Sequence, residues 1–239
     1  MASHDQEINT ATEAQVRAAL DASDVSQCLA TLSPFASQLG APVECVLLPE
    51  YPRRAVDASS PVWRLLPSET GSFRMRVQTV QDLSDEIRAI RGTDAALGSK
   101  GLIYGTSAVE CLLSRSGNIF PGDCDGLILD AGVPRAIVEL KKHTLPGPIG
   151  ENLASRYYPV PDGRKFDALA ALQRQCQSAC GRDVPIAVVY YATRFKALRI
   201  QIISIRDNAM TVDRDSGDVV YQDVGAEQIG ARIVRYVTR

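Results

Sequence analysis

The residues best suited to act together are Asp125, Glu139 and Lys141. They lie in the run Asp123-Cys-Asp-Gly-Leu-Ile-Leu-Asp130 and, past Ala131-Gly-Val-Pro134, in Arg135-Ala-Ile-Val-Glu-Leu-Lys141. Two apolar runs around turn-forming residues predict a β-hairpin over about 118–141. With 129 and 135 paired, 127 faces 137 and 125 faces 139. Opposed residues share a face, with Cβ atoms about 5 Å apart. Lys141 is two residues past Glu139 and shares that face. Asp123 falls opposite Lys141, so either Asp123 or Asp125 could be the main ligand of the pair. Asp125 is favoured by Leu127, Ile128 and Leu129, which follow it closely, and by its pairing with Glu139. Clustered carboxylates repel one another unless a cation joins them. Hard oxygens suit Mg2+ or Mn2+. Such a metal can hold a phosphate oxygen and help deprotonate a water, while a lysine stabilises the charge that develops. That chemistry is phosphodiester hydrolysis.

These residues need a scaffold, and the chain is long enough to supply one. Its 239 residues, 45% hydrophobic and 23% charged, suit a globular protein of one large domain or a domain with an extension. No apolar run reaches membrane-spanning length, and the start has no signal-peptide pattern. The expectation is a cytoplasmic protein with no membrane partner. The six cysteines form no CxxC pair and only His4 and His143 could join them, which argues against zinc. Cys176 and Cys180 are expected to be small buried hydrophobes. The formal net charge of −2 is not that of a polycation, so nucleic-acid contact would need a local basic groove.

Periodicity divides the chain near Gly98–Gly105, giving an N-terminal extension over 1–97 and a core over 98–239. The extension reads as a helix at 12–32 ended by Ser33-Pro34, strands at 43–48, 62–66 and 72–80, and a short helix carrying Leu83, Ile87 and Ile90. In the third strand Phe73, Met75 and Val77 should face the core, with Arg74, Arg76 and Gln78 outward. The core reads as a helix at 106–115, the hairpin, a loop to 165, a helix at 166–180, and strands at 184–192 and 198–206. Thr211–Val220 contains a hairpin turn signal at Asp215-Ser-Gly, and a last helix covers 225–238. The class is α/β or α+β around one mixed sheet.

Asp125 with Glu139-Leu-Lys141, in this order of elements, resembles the PD-(D/E)XK nuclease superfamily over about 90 residues. The resemblance implies a restriction-endonuclease-like core of a mixed central sheet flanked by helices. It also implies a Mg2+- or Mn2+-dependent deoxyribonuclease. Asp125 and Glu139, or Asp123, would hold the metal, and Pro121 would supply the family's proline. Glu110 is the counterpart of a helix glutamate found in the family, though Ser107-Ala-Val-Glu110 is equally a capping box. Gln173 is placed like a glutamine that reaches the site in several branches, or is simply solvated.

The substrate side is the 144–165 connection. Arg156, Tyr157, Tyr158 and Lys165 could hold phosphates and stack on bases, or the tyrosines could pack the loop on the core. Lys142 and His143 are further candidates for substrate contact. DNA, most readily duplex, is the implied partner. A homodimer would match its two-fold symmetry, with residues 1–97 serving recognition, dimerisation or support. The competing reading is a non-catalytic nucleic-acid-binding or assembly module that keeps the fold.

Overall fold

The computed structural model describes residues 13–21, 25–47, 56–67, 73–91, 124–160, 162–194, 196–221 and 225–239. They form two compact units, one within residues 1–121 and the other within 122–239, the latter joined by 38–40. Both combine helices with sheet, and the class is α+β. The junction expected near residue 98 and the helix expected at 106–115 lie outside the described residues. Among the described residues, no helix is long and apolar enough to cross a membrane.

The first unit contains α1 (Glu13–Asp21), α2 (Val25–Gln38), β1 (Cys45–Leu47), β2 (Pro61–Pro67), β3 (Phe73–Thr79) and α3 (Val80–Arg91). Its three strands are antiparallel in the order β1-β2-β3. Two expectations need correction here. The 12–32 helix is two helices, and α2 runs through Pro34 to Gln38 instead of stopping at Ser33. Pro34 removes one helical hydrogen bond, but the next turn buries Phe35 and Ala36, which offsets the loss. In β3 the alternation fails at one step, with Val77 50% exposed and Gln78 4% exposed, while Arg74 and Arg76 are exposed and Met75 is half-buried opposite the buried Leu65, as expected. The reason is Arg64, directly across from Arg76 on the Gln78 side of the β2–β3 ribbon. Its guanidinium engages Gln78, Glu44 and Glu86, the last from α3, and so covers the Gln78 end of that side.

The second unit contains β4 (Gly126–Asp130), β5 (Val133–His143), α4 (Gly163–Cys180), β6 (Ile186–Ala192), β7 (Ala197–Arg206), β8 (Ala209–Asp215), β9 (Val219–Val220) and α5 (Ala226–Val237). The mixed sheet runs β4-β5-β6-β7-β8, with β9 also on β7. Only β5 and β6 are parallel, because α4 returns the chain between them.

The hairpin register holds where it matters: Leu127 pairs with Ile137 and Gly126 with Val138. At the tip it differs. Ala131 and Gly132 form a two-residue turn with φ of 51° and 78°, pairing Leu129 with Pro134, and a bulge beside Ile128 restores the register. The Asp215-Ser-Gly signal is a break in a strand and not a hairpin, since β8 and β9 both pair with β7. The hairpin turn is Asp207-Asn208, both at positive φ, which these two residue types tolerate.

Pleating gives the sheet two distinct faces. On one, Ala136, Val138, Ala187, Val189, Leu198, Ile200 and Ile202 pack beneath Ile229, Ile233 and Val237 of α5. The other face is a grid of three rows: Ile137–Ile186–Ile203, Glu139–Val188–Gln201 and Lys141–Tyr190–Arg199. Phe166 and Leu169 of α4 are buried, and α4 packs on β5, β6 and β7. The grid therefore turns from apolar to polar toward the C-terminal end of β5.

Candidate active site

Glu139 sits in the middle row with 0% of its surface exposed. It is ringed by groups from three elements. Asp125 immediately precedes β4, and continuing the β4–β5 register places it opposite Glu139. Its Oδ2 accepts a hydrogen bond from the Leu140 N–H at 2.7 Å, which ties the carboxylate to β5. Lys141 brings Nζ to 3.7 Å from Glu139 Oε1 and 2.8 Å from Asp162 Oδ2, and holds it 5.4 Å from the Phe166 ring centroid. Lys165, in the first turn of α4, brings Nζ to 2.7 Å from Glu139 Oε1.

Asp162 occupies the N-cap position of α4, where a carboxylate ordinarily accepts a helix N–H. Its side chain makes no capping bond and binds Lys141 instead. Lys141 is thereby drawn toward Asp162, and Lys165 becomes the nearer cation to Glu139.

The electrostatics are set by burial. Burial pushes the Glu139 carboxyl from its ordinary 4.5 up to about 7; Lys165 opposes the rise and the neighbouring Asp125 adds to it. The Lys165 contact is an ion pair, and by geometric criteria neither Glu139 oxygen has a hydrogen-bond partner among the described residues. Among the described residues, Asp125, Glu139 and Asp162 are three carboxylates against the ammoniums of Lys141 and Lys165. A fully buried carboxylate with unbonded oxygens, beside a second carboxylate, suits a hard cation. Two donors alone are a sparse set, and among the described residues no group of three or more His, Cys, Asp or Glu could hold a metal. Asp123 and Glu110, the expected further acids, lie outside the described residues, as does Pro121.

The connection after β5 is built onto the sheet. Ile149 and Ala154 are buried in short 3-10 turns at Ile149–Glu151 and Ala154–Arg156. The Ile149 N–H donates to Asp218 Oδ2 at 3.1 Å, and the Ala154 N–H donates to the Tyr190 hydroxyl at 2.7 Å. The loop is thus packed down, by Ile149 and Ala154 more than by its tyrosines. Tyr157 stays 39% exposed and donates to Asn152 Oδ1. The Tyr158 hydroxyl donates to Asp167 Oδ1, and its ring meets Phe166 edge-on. Arg156 reaches back to the Glu151 carbonyl.

A cavity of about 390 Å3 opens beside Lys141, lined also by Lys142, His143, Asn152, Tyr157, Asp162 and Tyr190. Lys142 is exposed there. His143 is buried, with Nε2 2.8 Å from the Gly147 carbonyl oxygen, so its ring braces the loop. Gln173 does not join Glu139. Its Nε2 donates to the Val184 carbonyl at 2.8 Å, and it lines a separate groove between α4 and the β7–β8 hairpin. Cys176 is a buried core thiol, pushed up to about 11 by burial.

Sequence reasoning assigned Lys165 to substrate contact and did not single out Asp162. An Asp-Gly-Arg-Lys start to a helix carries no local signal that either side chain reaches a strand. Comparison with known proteins finds no matching family model, no similar curated protein and no similar solved structure.

Proposed function

We propose that this chain is a cytoplasmic, divalent-metal-dependent DNA endonuclease with a restriction-endonuclease-like core. The observation that carries the reading is the Glu139 carboxylate: fully buried, unbonded at Oε2, next to Asp125 and flanked by two lysines. A buried carboxylate in that state costs free energy that folding alone has no reason to spend.

In this reading Asp125 and Glu139 would hold Mg2+ or Mn2+, with Asp123 as a further oxygen donor. The metal would supply Lewis acidity toward a phosphate oxygen and an activated water. Lys141 and Lys165 place positive charge where the pentacovalent phosphate gathers negative charge. Asp162 keeps Lys141 oriented. Lys142 and Tyr157 border the adjoining cavity as contacts for the strand being cut. A homodimer would put one such site on each strand of a duplex.

One observation favours the alternative of a non-catalytic module: Lys165 already pairs with Glu139 at 2.7 Å, a contact that could serve structure alone. Incubation with supercoiled, linear and single-stranded DNA plus Mg2+ or Mn2+ decides between them. The wild type should cleave, and Glu139→Ala and Lys141→Ala should not. Absence of cleavage by the wild type on every substrate, or equal cleavage by the variants, overturns the nuclease reading.

A further inference from the structure

The face of the sheet opposite Glu139 carries a second concentration of unusual side chains. Helix α5 turns Ile229, Ile233 and Val237 onto the sheet. Its neighbouring ridge carries Arg232 and Arg235, and Arg239 follows just past the helix end, at the i, i+3, i+7 spacing that aligns residues along one side. A cleft of about 400 Å3 lies between this ridge and the β7–β9 edge, lined by Arg232, Arg235, Arg239, Tyr221, Tyr236 and Gln228. No acidic side chain is among its described lining residues, and among the described residues none of the three arginine side chains has an ion-pair partner. This occurs in a chain whose formal net charge is −2, so the patch is not a by-product of a basic composition.

Helix stability does not account for the three arginines. The negative end of the α5 dipole already has a cation: Arg214 of β8 donates to the Tyr236 and Val237 carbonyls at 3.2 and 3.5 Å. Arg214 also lies 5.5 Å from the Tyr236 ring centroid, which helps fix that ring at the cleft wall. At about 1.5 Å of rise per residue the three arginines extend over roughly 10 Å. Over that length one strand of duplex DNA presents about three phosphates. Guanidinium forks bind phosphate oxygens in pairs, and tyrosine hydroxyls and glutamine amides are common phosphate and sugar contacts.

We propose that this cleft binds the sugar–phosphate backbone of one nucleic-acid strand, as an anchoring site on the face opposite Glu139. It stands on its own observations and does not require that the chain cleave anything. The test is fluorescence anisotropy of a labelled 20-base-pair duplex in EDTA, across a salt series. It compares the full wild-type chain with the triple variant Arg232→Gln, Arg235→Gln, Arg239→Gln, whose folding is checked by circular dichroism. At about 0.9 per phosphate contact, the slope of log K against log salt should become shallower by roughly 2–3 in the variant. Affinity at low salt should fall at least about tenfold, in line with losing several phosphate contacts. Should the triple variant not fold, Arg235→Gln and Arg239→Gln singly should each flatten the slope by about 1.

An unchanged slope and affinity overturn the proposal. So does a polyglutamate peptide, or mononucleotide alone, that displaces the duplex at equal concentration of charge. A wild type that cleaves no DNA but shows the slope difference leaves this site standing while the nuclease reading falls. A wild type that cleaves but shows no slope difference does the reverse.

Discussion

Two charged groups on the same face of the same sheet meet opposite fates. Asp215, across from Gln201 at the β7–β8 edge, and Glu139, three strands away in the same row, are both pushed toward protonation by burial. At Asp215 the protein answers in full. Arg199 donates to both carboxylate oxygens at 2.7–3.2 Å, Gln201 adds a bond at 2.7 Å, and the Gly217 N–H another at 2.8 Å. Those bonds outweigh burial and hold Asp215 below the usual carboxylate range. At Glu139 burial wins, against Lys165 at 2.7 Å and Lys141 at 3.7 Å. The saturated cluster braces the fold: Arg199 also binds Asp218, which fixes the Ile149 loop. The unsaturated cluster has capacity left for something from outside the chain, and that difference separates a brace from a site.

The sharpest way to break the comparison is activity. Lys165→Met should reduce DNA cleavage on the order of 100-fold, the scale of losing one charge-stabilising group. Arg199→Gln should change it by less than about tenfold at a temperature where both variants stay folded, since a brace acts only through positioning. A loss for Arg199→Gln as large as that for Lys165→Met would erase the distinction.

The pH dependence comes next. Glu139 binds its proton more tightly folded than unfolded, so its contribution is complete below about pH 4.5 and lost as pH rises through about 7. At about 1.4 kcal/mol per pH unit, the difference approaches roughly 3 kcal/mol. In urea unfolding with EDTA, Glu139→Gln should therefore gain on the wild type between pH 5 and pH 8.5. Mn2+ should narrow that gap at high pH, because a bound cation favours the ionised carboxylate. Asp215 works in the other direction, with stability lost as pH falls through its lowered value. A Glu139→Gln variant whose urea midpoint tracks the wild type across this range would remove the case for a strained carboxylate.

Stability of the brace is a smaller effect. Arg199→Gln should cost roughly 2 kcal/mol, several charged hydrogen bonds discounted for partial exposure, read as a fall in the urea midpoint. Smallest is Tyr190→Phe. Its buried hydroxyl accepts from the Ala154 N–H and donates to Gln201 Oε1 at 3.0 Å, so its loss should cost about 1–2 kcal/mol. That variant should also speed proteolysis in the 149–157 loop.

What could be read along the chain is what a two-residue period controls. Glu139 and Lys141 share a face because strands alternate, while Leu127 meets Ile137 because the bulge beside Ile128 offsets the shift set by the two-residue turn. The terminal helix was legible because Ile229, Ile233 and Val237 keep a helical spacing. The β3 alternation misled only at Val77 and Gln78, because the pattern does not reveal that Arg64 would draw Glu44 and Glu86 beside Gln78. Asp215-Ser-Gly misled for a related reason: a turn-prone triplet serves equally to interrupt one strand along a longer partner.

By itself, then, the sequence determined the α+β class, the hairpin and the Glu139–Lys141 pair, all consequences of spacing between near neighbours. Tertiary structure alone decided that Lys165 approaches Glu139, that Asp162 gives up its cap to hold Lys141, and that Gln173 turns to Val184. It also decided the full burial of Glu139. Those outcomes depend on how the α4 crossover lies on the sheet, and on what a low-dielectric interior does to a carboxylate with too few donors. Neither is encoded in the spacing of any few residues.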